Sequence, residues 1–273
     1  MQRNIQAILM IWERELLRYW RDRIRIVTSL MQPLLFLFIF GSGLSASLQF
    51  GSPNGVNTSF QTFLFPGVLG MTVLFTAIFS AISIVWDREF GFLREILVAP
   101  ISRSSIVLGK ALGGSTVSMI QGTIMLIFAP LIGIQLTPVL VLQLMGLMLL
   151  LAFTLTSLGI VVAARMKSME GFQMIMQFFL MPMFFLSGAL FPLHGLPVWL
   201  SVLTQIDPVS YGVDPLRRVV FGPLHLPALL LQRFGVGLQV LGYSLSLASE
   251  LLILGGIGIV FITIAAWAFS RQE

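Results

Sequence analysis

The chain has 273 residues, 57% of them hydrophobic and only 10% charged, with a mean hydropathy of +0.96. A soluble domain carries about 25% charged residues, so this composition excludes an ordinary soluble fold and indicates a polytopic membrane protein. The net charge of +5 comes mostly from arginines at the ends of apolar runs, which is an orientation signal and not a nucleic-acid footprint; two His and no Cys exclude disulfide scaffolds, thiolate sites and large multi-His metal sites.

Residues 1–25 read as an amphipathic helix. Ile5, Ile8, Leu9, Trp12, Leu16, Tyr19 and Trp20 recur at helical spacing, with Arg14, Arg18, Arg21, Asp22 and Arg25 largely on other faces. Such a helix lies in the membrane interface, with Trp12 at headgroup depth and Arg14, Arg18 and Arg21 toward water or anionic lipid. The apolar run Ile26–Leu44 that follows is too long for the roughly 7–15 residues of a signal-peptide core, so a retained first span is expected.

Six stretches are long enough to cross a bilayer, which takes about 20 residues: Ile26–Leu48, Phe63–Trp86, Ile106–Ile134, Val139–Ala164, Phe172–Leu193 and Leu251–Phe269. All should be helical, because open strands leave backbone groups unsatisfied in lipid. The expected fold is therefore all-α, a single transmembrane domain over 1–273 with six transmembrane helices. Pro33, Pro130 and Pro182 fall inside the runs and predict kinks. The connections 45–61 and 135–138 carry no charge, whereas the N-terminus, Arg88, Arg94, Arg103, Arg165, Lys167 and Arg271 fall on the other side, which predicts that both termini are cytoplasmic. Lys110, one turn inside the third run, is expected to snorkel back to that face.

Between the fifth and sixth runs, residues 194–249 are long yet apolar, and Pro197, Pro208, Pro215, Pro223 and Pro227 chop them into short pieces. Re-entrant or interface-lying outer helices, packed on protein, fit this pattern. Asp207 and Asp214, each followed by proline, read as turn or helix-cap residues, and Arg217 and Arg218 are placed to pair with Asp214 one turn on. His194 and His225 have no acid or nucleophile at a telling spacing.

No catalytic residues, no metal ligands and no cofactor-binding residues stand out. Nothing charged lies at mid-membrane, so ion coupling has no evident site. A phosphate cradle is missing too: Gly109-Lys110 is followed by Ala111, and Ser104 occupies the position of the leading glycine. Energy for uphill transport would have to come from another subunit. The charged island 87–104, between the second and third runs, reads either as a docking place for one or as an ordinary loop with interfacial charges. It holds Asp87, Arg88, Glu89, Arg94, Glu95 and Arg103 around a short helix that Ala99-Pro100 would stop.

This island resembles the coupling region of permeases of type-two ABC exporters: Arg88-Glu89, Gly91, Leu93, Pro100, Arg103 and Gly109-Lys110, with Phe92 where the family often has Thr. A second stretch, Phe185-Leu186-Ser187-Gly188-Ala189-Leu190-Phe191-Pro192, followed by Leu196-Pro197, Asp207-Pro208-Val209-Ser210-Tyr211, Asp214 and Leu216-Arg217, is similar to the drug and lipo-oligosaccharide exporter branch. The resemblance implies a homodimer, or pseudodimer, of permeases in a bacterial plasma membrane, working with cytoplasmic ABC ATPase subunits that hold ATP and Mg, and moving a hydrophobic or amphiphilic substrate outward. It assigns ATPase coupling to Arg88, Glu89, Gly91, Arg94, Glu95, Pro100 and Arg103. The first, second and fifth spans would line the substrate path, with Phe36, Phe40, Phe75, Phe79, Phe178 and Phe179 as candidate lining residues. The contrasting readings are a secondary transporter or channel working alone, and a polytopic membrane enzyme.

Overall fold

The computed structural model describes residues 2–48, 60–91, 101–193, 195–224, 237–240 and 243–271. They form a helical bundle with one short pair of antiparallel strands, Gln239–Val240 and Tyr243–Ser244. In chain order, α1 is Gln2–Arg21 and α2 is Arg23–Leu35, which continues through a π-helical turn, Phe36–Phe40, into α3, Gly41–Leu48. Next come α4, Phe60–Ser80, and α5, Ile82–Glu89. The remaining long helices are α6, Arg103–Leu126, α7, Pro138–Ala163, and α8, Met169–Leu186. Two short helices, α9 (Val198–Ile206) and α10 (Ser210–Phe221), precede α11, Leu247–Ser270.

Among the described residues, five helical stretches are long and apolar enough to cross a membrane: Arg23–Ser45, Phe60–Glu89, Pro138–Ala163, Met169–Leu186 and Leu247–Ser270. The expected third span differs from its sequence outline. Its helix stops at Leu126, and Pro130 lies in a separate 3-10 turn, Ala129–Ile132, closed by Gly133 at φ +82°. It also begins earlier, at Arg103, where the Ser102 side chain accepts the Ser105 N–H as a cap. At about 1.5 Å per residue, α6 has the length of a span, but Lys110 and Gln121 are buried along it. Its polar groups are used inside the bundle.

The centre of the bundle is α4. It is apolar on every side and buried over most of its length, as an all-round hydrophobic helix must be. Glycines set how closely its neighbours approach. A Cβ at Gly67 would sit 2.4 Å from the Ala189 carbonyl oxygen, and one at Gly70 would sit 2.5 Å from Val213. The loop after α8 and the whole of α10 are thereby drawn onto α4. The proline-broken region thus places α10 inside protein, with Ser210, Tyr211, Val213, Leu216 and Val220 buried. In contrast, α9 exposes Val198, Trp199, Val202 and Ile206.

Proline effects are local. Pro33 lies one turn before the π-helical turn at Phe36–Phe40, whereas Pro66, Pro182 and Pro215 are accommodated within helices.

Candidate functional site

One cluster of buried charge lies where α1 meets α5 and α6. The crossing depends on two glycines one turn apart. A Cβ at Gly109 would meet Ile11 at 2.8 Å and the Ile8 carbonyl at 3.1 Å; one at Gly113 would meet the Glu15 Cβ at 2.7 Å. Only glycine at both positions lets α1 lie this close. At that range Trp12 Nε1 donates to Thr116 Oγ1 at 3.0 Å, and the Tyr19 hydroxyl donates to the Gln121 side-chain oxygen. Burial pushes the Tyr19 phenol up to about 12, so it remains a donor.

Close approach brings Glu15 within reach of Lys110. The Lys110 ammonium donates to Glu15 Oε1 at 2.7 Å, Asp87 Oδ2 at 2.8 Å and Ser83 Oγ at 2.9 Å, which uses all three of its N–H groups. Arg14 Nη2 adds a bond to Asp87 Oδ2 at 2.9 Å and lies 3.6 Å from Glu15 Oε1. Two acids and two bases balance. Glu15, Asp87 and Lys110 are 8%, 7% and 5% exposed, so the Lys110 pairs are buried, whereas the Arg14 side chain is 45% exposed. Lys110 therefore does not snorkel to the surface as its position suggested; it is held by carboxylates of α1 and α5.

The residues expected to couple to an ATPase lie around this cluster. Arg88 Nη1 donates to the carbonyl oxygens of Ala163, at 3.2 Å, and Met166; Nη2 donates to that of Ala164 at 2.9 Å. Glu89 Oε2 accepts the Met169 N–H at 3.1 Å. Arg103 Nη1 donates to the carbonyls of Phe269 and Ser270 at 3.1 and 2.8 Å. Gly91 ends α5 with φ +82° and its N–H on the Arg88 carbonyl. Among the described residues a Cβ at Gly91 would meet nothing within 4 Å, so within this chain it is the positive φ that favours glycine here. Arg94, Glu95 and Pro100 lie outside the described residues, as do His194 and His225. Of the interface-helix residues, Trp12 and Arg14 are bonded as above, Arg18 stacks over the Trp86 ring at 4.7 Å, and Arg21 is exposed.

The aromatic candidates separate into three places. Phe75 and Phe79 line a cavity of about 260 Å³ with Tyr19, Arg25, Thr28, Ser29, Gln32, Pro33, Met71 and Thr76. A neighbouring cavity of about 300 Å³ shares Tyr19 and Arg25 and reaches Arg18 and Trp86. Phe178 joins Phe79 along an open groove with Gln173, Met174 and Gln177. Phe36 instead meets Phe184 edge-on at 5.8 Å, and Phe40 packs near Phe36 and Phe60. Phe179 is half exposed beside Phe178.

A second polar cluster joins α10 to the start of α11. Arg218 Nε donates to Asp214 Oδ2 at 2.8 Å, and its Nη2 donates to Glu250 Oε1 at 2.6 Å and to the Leu245 carbonyl at 2.8 Å. Asp214 also accepts the Gly237 and Leu238 N–H groups. Asp214 pairs with Arg218 as its spacing suggested. Arg217 goes elsewhere: it is fully buried, donates to the Gly188 carbonyl and lies over Phe63 at 4.7 Å. Asp207 is a turn residue, its Oδ1 accepting the Val209 N–H at 3.1 Å. Spacing alone did not single out Glu15 or Ser83; the signal available was the Gly109/Gly113 pair beside an acid on an otherwise apolar helix face.

Apolar helices of membrane length, with a buried charge cluster where α1 meets α5 and α6, describe a multi-pass membrane protein. Residues 6–221 match the ABC-2 type transporter family, which is most of the chain, and the protein belongs to that family as the permease of an ABC transporter. It is 32% identical over 216 residues to a putative transport permease ycf38 of Cyanophora paradoxa, covering 78% of this chain and 73% of the relative. It is 28% identical over 217 residues to nodulation protein J of Rhizobium leguminosarum bv. viciae, covering 78% and 82%. Against the probable multidrug ABC transporter permease YbhR of Escherichia coli K12 the identity is 27% over 168 residues, covering 60% and 45%.

Proposed function

We propose that this permease is the membrane subunit of an ATP-driven exporter. Six spans place both termini in the cytoplasm of a bacterial plasma membrane, and two copies act with cytoplasmic ATPase subunits that bind ATP and Mg. The observation that carries the reading is the Glu15–Lys110–Asp87 bridge. It fastens the interface helix to the second and third helices of the bundle where the charged 87–104 segment begins. A push on that segment reaches α1, α5 and α6 as one body, because separating them breaks dry ion pairs, which costs several kcal/mol.

The substrate is hydrophobic or amphiphilic. Support comes from the cavity between α2 and α4, where Met71, Phe75 and Phe79 face Thr28, Ser29, Gln32 and Arg25. One wall suits an apolar chain and the other a polar head. A relative named as a probable multidrug ABC transporter permease fits this breadth.

The test is reconstitution. The purified chain alone should show no ATP hydrolysis, and vesicles holding it with its co-expressed ATPase should move an amphiphilic dye outward only with ATP. Ion-gradient-driven flux by the lone chain would establish the secondary transporter instead.

A further inference from the structure

Arg88, Glu89 and Arg103, at the two ends of the 90–102 segment, bond helix termini of this same chain, and their charges match those termini. Arg88 faces the C-terminal carbonyls of α7. Glu89, the next residue, meets the first N–H of α8. Arg103 faces the last carbonyls of α11. A helix carries partial negative charge at its C-terminus and partial positive charge at its N-terminus. Two arginines at carbonyl ends and one glutamate at an amide end are therefore the favourable choice at each place. Arg88 and Glu89 together grip the whole turn 163–169 between α7 and α8. Ser168 supplies a cap of its own by accepting the Gly171 N–H, so Glu89 adds a contact from outside the turn to one that is already locally satisfied. On the far side of the segment, the Ser102 N–H reaches the Asn4 side chain at 3.3 Å, which brings in the start of α1.

We infer that Arg88, Glu89 and Arg103 are positioning residues and not contact residues for a partner. They tie both ends of the segment to the ends of the fourth, fifth and sixth long helices. A displacement of the segment is then delivered to those helices as well as to α5 and α6. The inference rests on the proposed exporter function for its consequence but not for its geometry, and the two are tested by separate arms.

The first arm uses the full chain in liposomes without any ATPase. The chain contains no cysteine, so spin labels can be placed at Phe90→Cys and Lys167→Cys, both exposed positions. A single narrow distance is expected. Arg88→Gln and Glu89→Gln should broaden it, and Arg88→Lys should recover part of the narrow population. Arg165→Gln, in the same turn, should leave it unchanged. An unchanged distribution in both Arg88→Gln and Glu89→Gln overturns the inference.

The second arm adds the co-purified ATPase. The Gln variants should retain the ATPase while substrate moved per ATP falls about tenfold, the change that roughly 1.4 kcal/mol produces. Arg88→Lys should regain part of that ratio. Loss of the ATPase from the Gln variants would make these residues docking contacts and overturn the inference. Failure of the unaltered chain to bind any ATPase would refute the exporter reading, and the spin-label distances would still decide the tie.

Discussion

Lys110 Nζ lies 2.8 Å from Asp87 Oδ2, and neither residue is more than 7% exposed. With Glu15 Oε1 at 2.7 Å on the other side, the ammonium is shared by carboxylates from two different helices. Removing one member of a dry pair leaves an uncompensated charge, which costs about 3–5 kcal/mol. Lys110→Met should therefore lower the stability of the detergent-solubilised chain by about that much, measured by SDS unfolding. The double variant Asp87→Asn/Lys110→Met should lose less than the sum of the two single losses. Additive losses would show that the pair is not coupled.

Gly109 and Gly113 should tolerate no side chain. A Cβ at either would come within 3 Å of α1 atoms, and overpacking of this kind costs about 1–3 kcal/mol. Gly113→Leu should push α1 off α6 and break the Trp12–Thr116 bond. A cysteine at Ile11, half-buried in the native chain, should then label faster with a water-soluble maleimide. Gly146, where a Cβ would meet nothing within 4 Å, is the control: Gly146→Leu should leave labelling unchanged.

The topology can be read from two exposed loop positions. A cysteine at Gln135 should react from the outer side of intact cells and one at Lys167 only after the membrane is opened. The reverse result would invert the orientation.

Asp207 sets a pH dependence. Burial pushes its carboxyl up to about 8, against the opposing hydrogen bonds from the Val209 N–H and the Ser210 side chain. An acid whose folded-state pKa is raised binds its proton more tightly when folded than when unfolded. Its contribution to stability is therefore complete below about 4, the ordinary carboxylate value, and is lost as pH rises toward 8. The melting temperature should fall between pH 5 and pH 8 in the native chain and fall less in Asp207→Asn, whose Oδ1 can still accept from Val209. Equal slopes would place the pH dependence elsewhere.

Much of this architecture was legible in the sequence because its causes are local. Uninterrupted apolar length fixed the helices at Phe60–Glu89, Pro138–Ala163 and Leu247–Ser270 to within a few residues. Helix starts just outside the apolar runs were less legible, since Ser102, Thr137, Ser168 and Ser246 extend each helix by capping. The third helix was misjudged at its far end because Ile127–Ile134 is apolar but contains Pro130, which favours a new turn over continuation.

The sequence by itself determined that this chain is a bundle of apolar helices with an amphipathic helix at its start, because apolar length and helical periodicity are properties of contiguous residues. Only the tertiary structure decided where the charges go. Glu15 meets Lys110 across 95 positions, and Arg103 meets Phe269 across 166. Those meetings depend on how helices distant in sequence pack; for Glu15 and Lys110 the close crossing is allowed by Gly109 and Gly113 and not by the identity of the charged residues. The same arginines that mark a span end by composition thus cap the carbonyls of other spans, and no local pattern distinguishes the two uses.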